Sequence, residues 1–155
     1  MSVVHETRIG PLYLAASGAG LSLVGFTEPE TDGPDDEAVL DLARQEIDAY
    51  LDGGLREFTV PVDLSGTSGA HRRVLAGLDD VGWGSTITYG ALATKVGLPL
   101  SDSRRVGGAM ARNPVAIVVP CHRVVGADGS LTGYAGGLGT KRTLLDLEAA
   151  DVMLF

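Results

Sequence analysis

The chain of 155 residues carries one cysteine, Cys121. An internal disulfide cannot form, and a zinc site built from several cysteines is excluded. A chain without disulfides suits a reducing cytosol, so a cytoplasmic protein is expected. No stretch reaches the ~18 apolar residues of a membrane-spanning helix, so no membrane partner is expected. The first ten residues lack the basic start and apolar core of a secretory signal. Repeats and low-complexity tracts are absent. Positive charge is also short: the formal net charge is −8, which taken alone counts against a polyanion as partner. What is present is 45% hydrophobic and 21% charged residues, enough to pack a core.

The charge is unevenly spread. Lys95, Arg104, Arg105, Arg112, Arg123, Lys141 and Arg142 face only Asp102 and Asp128 in residues 95–142, a local net charge of +5. Screening over ~8–10 Å lets such a segment meet a polyanion despite an acidic body. The plain alternative is a solvated surface.

Hydrophobic spacing predicts two lobes, residues 1–66 and 67–155. Residues 7–27 alternate apolar with small or polar residues and are broken by Gly10-Pro11 and Gly18-Ala19-Gly20. That pattern predicts short antiparallel strands with tight turns. Residues 28–36 read as a loop and residues 37–51 as a helix, ended by Asp52-Gly53-Gly54. Residues 58–64 alternate again and predict another strand. Residues 65–69 form the linker. A helix over 70–78 should bury Val74, Leu75 and Leu78, followed by a turn at 81–84. Thr88 can cap a helix over 89–96 that Gly97 stops. Ser101 or Asp102 can cap a second helix to Arg112, closed by Asn113-Pro114. Two short helices with a turn between them predict a helix-turn-helix. The apolar run 115–119 should be buried, and residues 140–150 should form an amphipathic helix. The expected fold is thus an α/β first lobe with a short antiparallel sheet and a mostly α-helical second lobe.

The chemistry concentrates at Pro120-Cys121-His122-Arg123-Val124. A thiol attacks carbon as thiolate, and a neighbouring histidine or cation lowers the pKa of a free cysteine from ~8.5. A single cysteine is more often buried and inert, and His122 beside it in sequence need not face the sulfur. Gly107-Gly108-Ala109 would leave a helix nearly bare of side chains, which suits close approach to a groove or to another helix. Tyr89, Tyr134 and Glu148, taken singly, read as core tyrosines and a surface acid.

Together the motifs say more. Pro120-Cys121-His122-Arg123-Val124-Val125-Gly126, then Gly133-Tyr134-Ala135-Gly136-Gly137-Leu138, then Lys141, Leu144-Leu145 and Glu148, resemble the O6-alkylguanine-DNA alkyltransferase family. Arg104-Arg105-Val106-Gly107-Gly108-Ala109-Met110 with Asn113-Pro114 resembles that family's recognition helix and asparagine hinge. The likeness is specific over residues 87–148 and looser before Gly69. It departs from many members at Ala70, His71 and Leu75, where they carry a Phe-Gln pair and a tryptophan.

The resemblance implies direct-reversal DNA repair. Cys121 would accept the alkyl group of O6-alkylguanine, and of O4-alkylthymine, once and irreversibly. His122 would take the thiol proton through a water and Glu148 would orient His122. Asn113 would hold the turn before the cysteine segment, and Tyr89 would give a proton to the leaving guanine. Val124, Tyr134, Ala135 and Gly136 would line the pocket. The partner would be double-stranded DNA, met in the minor groove with the damaged base flipped out. Thr88, Arg105, Gly107, Gly108, Ala109 and Met110 would lie along the DNA. Arg104 would fill the space left by the flipped base. The protein would act as a monomer with no cofactor and no metal. Alternatives remain: a damage-binding relative without transfer activity, a thiol hydrolase that turns over, or a helix-turn-helix regulator with a structural cysteine.

Overall fold

The computed structural model describes residues 3–30 and 35–152. It divides into two compact units: Met1–Gly66 with Pro114–Val118, and Thr67–Asn113 with Val119–Phe155. Part of the loop expected over 28–36 lies outside the described residues.

The first unit is α/β. Strands β1 (Val3–Thr7), β2 (Gly10–Ser17) and β3 (Gly20–Gly25) form an antiparallel sheet in sequential order, with a register shift between Ala15 and Ala16. The strands are short because glycines punctuate them. Gly20 takes φ +146°, and a Cβ there would stand 2.7 Å from the Pro61 carbonyl carbon. Helix α1 (Glu37–Leu51) packs on β2 and β3. Its Asp36 cap accepts from the Val39 amide at 3.2 Å. Leu40, Ala43, Ile47 and Tyr50 recur at helical spacing and are fully buried against Leu12, Leu14 and Leu21 of the sheet's core. Each large aliphatic among them contributes roughly 1.5–3 kcal/mol.

Residues 58–64 do not make the strand that their alternation predicts. They run extended and meet the sheet in one parallel bridge, Leu21 to Val62, and where Asp63 accepts from the Ser17 hydroxyl. The amides that a ladder would use turn instead to a buried carboxylate. Glu46 accepts from the Thr59 amide at 2.9 Å, the Val60 amide at 2.8 Å and the Thr59 hydroxyl at 2.7 Å. Pro61, which has no N–H, gives only its carbonyl to Leu21. Further along β3, Val24 exchanges hydrogen bonds with Pro114 and Ala116. The edge of β3 is thus covered by two extended segments rather than by a fourth strand.

The second unit is mostly helical. Ser68 caps α2 (Gly69–Ala76), whose Val74 and Leu75, with Leu78 beyond it, are buried as expected. Strand β4 (Ile87–Thr88) pairs in parallel with β5 (Val124–Val125). Thr88 ends β4 and caps α3 (Tyr89–Lys95), its hydroxyl accepting from the Ala91 amide at 3.1 Å. Gly97, at φ +82°, turns the chain, and a 3-10 turn (Leu100–Asp102) leads into α4 (Ser103–Ala111), which packs on α2 and α3. Asp102 stands at the cap position of α4 but makes no side-chain cap bond; its carboxylate lies 4.0 Å from Arg105 Nε instead.

Helix α5 (Leu138–Val152) begins two residues before its expected start. It is not amphipathic in the ordinary sense, because its buried face is Lys141, Leu144 and Glu148. The apolar run 115–119 is buried at Val115, Ala116 and Ile117 and half-buried at Val118 and Val119. No described helix is long and apolar enough to cross a membrane.

Candidate active site

Two tight turns deliver the cysteine. Val118 N–H bonds to the Ala116 carbonyl at 2.8 Å around Ile117, which is held at φ +72°, a left-handed angle that a β-branched residue adopts only under strain. Cys121 N–H then bonds to the Val119 carbonyl at 2.8 Å around Pro120, at φ −82° and ψ 62°. Pro120 suits this inverse γ-turn because its ring already sets φ. Asn113 Nδ2 donates to the same Val119 carbonyl at 2.9 Å. Its side chain also hydrogen-bonds Cys121.

Cys121 opens a 3-10 turn (Cys121–Arg123) and lines a cavity of about 660 Å³. Tyr89 enters from the start of α3, and Ser103, Arg104, Gly107, Met110 and Ala111 from α4. Residues 132–135 close another side. The volume falls in the range of small-molecule sites. Gly107 faces open space; a Cβ there would meet nothing within 4 Å.

Behind the cysteine lies a buried ionic cluster. His122 Nε2 is 2.8 Å from Glu148 Oε2, and both residues are essentially inaccessible. Arg123 grips the same carboxylate with two bonds, Nε to Oε1 at 2.8 Å and Nη2 to Oε2 at 2.9 Å, while its Nη1 donates to the Val81 carbonyl at 2.6 Å. Buried charges are tolerable in this geometry because the carboxylate is paired and bidentate. Lys141, 1% exposed, donates to the Val124 carbonyl at 2.7 Å and the Thr132 carbonyl at 2.9 Å.

These surroundings set proton affinities. Burial pushes the Cys121 thiol up, against the Asn113 hydrogen bond and the Lys141 charge, which pull it down. The resting sulfur is therefore a thiol. Burial pushes His122 down, outweighing the Glu148 carboxylate, so the imidazole is neutral near pH 7. Tyr134 is held far above the usual phenol range, by burial first and then by Cys121 and Glu148. Burial also lowers Lys141.

The expected site residues are sorted by this geometry. Cys121, Tyr89, Arg104, Gly107, Met110, Tyr134 and Ala135 meet at the cavity. His122, Glu148 and Asn113 stand behind it. Val124 does not line it: its side chain is fully buried on β5, its N–H bonds to the Cys121 carbonyl and its own carbonyl accepts from Lys141. Ala109 is fully buried on the inner face of α4, because three successive helical residues point 100° apart and cannot share one bare face. Gly108 is half-buried toward His71 of α2, and Gly136 is off the cavity wall. Thr88 serves as a cap and Arg105 is exposed. Of the departures, Leu75 is core and Ala70 is exposed. Sequence reasoning assigned no role to Arg123, Lys141 or Thr132; a cation among otherwise apolar spacing on α5 was the available signal for Lys141. The basic segment is also thinner at the surface than its residues imply. Arg123 and Lys141 are internal, and Lys95 is paired with Asp80. Arg104, Arg105, Arg112 and Arg142 remain exposed. Among the described residues no three His, Cys, Asp or Glu side chains converge as metal ligands would.

Comparison with known proteins agrees along the whole chain. Residues 3–64 match the family model "6-O-methylguanine DNA methyltransferase, ribonuclease-like domain", and residues 69–150 match its "DNA binding domain". The "Methylated-DNA--protein-cysteine methyltransferase" of Mycobacterium leprae is 45% identical over 154 residues, 96% of this chain and 92% of the relative. That of Methanosarcina acetivorans is 41% identical over 95% of this chain and 97% of its own. The crystal structure of Mycobacterium tuberculosis OGT in complex with DNA superposes with a TM-score of 0.86 at 41% identity, over 95% of this chain and 91% of that one. With both units matched and the single cysteine set in a cavity beside a buried His–Glu pair, the chain belongs to the 6-O-methylguanine DNA methyltransferase family.

Proposed function

We propose that the protein repairs alkylated DNA by direct reversal, moving the alkyl group from O6 of guanine onto Cys121 in one irreversible event per chain. One observation carries this reading: the only cysteine lines a cavity of about 660 Å³ and is backed by the buried His122–Glu148 pair. The thiol is protonated at rest, so it needs a base. Donating its Nε2–H to Glu148, His122 takes the thiol proton at Nδ1 through a water. The S–C bond forms as the C–O bond breaks. Tyr89 gives its phenol proton to the departing guanine. The proton taken from the thiol later restores the phenol through solvent. The product is a thioether that water does not cleave, which makes each chain act once.

Residues 1–66 are read as a supporting lobe and residues 67–155 as the DNA-binding and acceptor domain. An alkyl group at O6 is out of reach inside a duplex, so the base must leave the stack at a cost of a few kcal/mol. Arg104 stands exposed on α4 at the cavity and is suited to fill the gap. The nearly bare Gly107-Gly108 stretch suits close approach in the minor groove. The protein acts as a monomer in the cytoplasm, and O4-alkylthymine is a second substrate.

The test is to incubate the protein with duplex DNA carrying one O6-methylguanine, then measure intact mass and map the modified peptide. One methyl group on Cys121, stopping at one per chain, is expected, with no gain for Cys121→Ser. Tight DNA binding with no mass gain would instead support a damage sensor.

A further inference from the structure

Thr132 lines the cavity, and its hydroxyl donates to the Tyr89 phenol oxygen at 2.8 Å. The two residues lie 43 positions apart and come from different segments, so the bond ties one wall of the cavity to the other. Thr132 is itself anchored from below. Its carbonyl accepts from Lys141 Nζ at 2.9 Å, and the same ammonium donates to the Val124 carbonyl at 2.7 Å. Val124 follows directly on the 3-10 turn that carries Cys121, and its strand pairs with Ile87-Thr88 immediately before Tyr89. A closed circuit therefore runs from the cysteine segment through Lys141 and Thr132 to Tyr89, and back through the β4–β5 ladder.

We infer that Thr132 is a positioning residue for Tyr89, holding the phenol over the cavity and supporting the negative charge that develops on its oxygen as its proton passes to the departing base. This rests on the transfer reading given above. The direction of the bond is what matters. The threonine hydroxyl rotates and can donate to the phenol oxygen, which leaves the phenol's own hydrogen to the substrate. When that hydrogen leaves, the Thr132 bond becomes a bond to an anion, and such bonds are shorter and about twice as strong. The interaction thus strengthens during the reaction, which is the condition for accelerating it rather than only tightening binding. Lys141 serves the same end by fixing the Thr132 backbone, so that the hydroxyl need not search for its partner.

The test compares Thr132→Val, which keeps the shape and loses the donor, with Thr132→Ser, which keeps the donor. Single-turnover methyl transfer from duplex DNA containing O6-methylguanine would be followed by mass at increasing protein concentration. Cys121 methylation by iodomethane, whose leaving iodide needs no proton, would be followed in parallel. Thr132→Val is expected to lower the maximal rate on O6-methylguanine about tenfold, the loss of one hydrogen bond to a charged group. The half-saturating concentration and the iodomethane rate should stay at the parent's values, and Thr132→Ser should restore most of the rate. Parent-like transfer by Thr132→Val would overturn the inference. So would an equal slowing on both methyl donors, which would mark a structural effect on the cysteine. Failure of the parent itself to accept a methyl group from O6-methylguanine would overturn the transfer reading, and this inference with it.

Discussion

Each unit buries a carboxylate, and the two are used differently. Glu46 in the first unit is surrounded by neutral donors, the Thr59 and Val60 amides and the Thr59 hydroxyl. It replaces a sheet ladder and pins an extended segment to α1. Glu148 in the second unit is surrounded by groups that carry or exchange protons, His122 and Arg123. It fixes the imidazole through Nε2 and raises its proton affinity, against the burial that lowers it. A buried acid is thus a clamp or a proton-setting device according to its donors, and burial alone does not tell which.

Removing the two acids tests the contrast most strongly. Glu148→Ala leaves Arg123 buried without its counter-charge and should cost about 3–5 kcal/mol in urea unfolding. Glu46→Ala exposes amides and a hydroxyl to lost bonding and should cost about 1–3 kcal/mol. Once folded, the Glu46 variant should transfer methyl groups at the parent rate. Equal stability losses, or a catalytic defect in Glu46→Ala, would break the comparison.

The pH dependence of stability should also separate the units. His122 is lowered from 6.5 by burial, so the unfolded chain binds the proton first. Its contribution is present above 6.5 and is lost as pH falls below it. Cys121 is raised from 9.0, so its contribution is present below 9.0 and is lost as pH rises further. In the first unit Asp63 is lowered from 3.8 to about 2 by the Ser17 hydroxyl and Ser65, so its contribution fades only below 3.8. Urea midpoints measured across pH should begin to fall near 6.5 on the acid side. Cys121→Ser should remove the loss between 9.0 and 10.0, below the ordinary range of Tyr134.

Two glycines sharpen the contrast in packing. Gly20→Ala would force a left-handed residue whose Cβ meets the Pro61 backbone at 2.7 Å, and should cost about 2–3 kcal/mol. Gly77→Ala in the second unit, at φ −63°, would meet side-chain tips of Val96 and Leu92 at 2.6 and 2.7 Å. Those tips can shift, so about 1–2 kcal/mol is expected. Thermal unfolding of the pair would rank them. Smallest of all, Thr88→Ala removes the α3 cap and should cost about 1 kcal/mol, read the same way.

How far the fold was legible follows the range of the forces. Helix α1 over Glu37–Leu51 and the Thr88 cap were readable because spacing and capping act within a few residues. The segment 58–64 misled, because its alternation is real but its amides are claimed by Glu46, more than a dozen residues away. The burial of Ala109 was not legible, because composition says which residues are small, not which way they face. Lys141 and Arg123 counted as basic surface in the sequence, yet both are internal.

The sequence by itself determined the two-lobed α/β and helical plan, the lone nucleophile and the family motifs around it, since these depend on local periodicity and residue type. Only the tertiary structure decided which cations are buried, that Glu148 serves His122 and Arg123 together, and that Thr132 reaches Tyr89 across the cavity. Those contacts join residues 25 to 43 positions apart, and their partners are chosen by packing and desolvation, which no local pattern encodes.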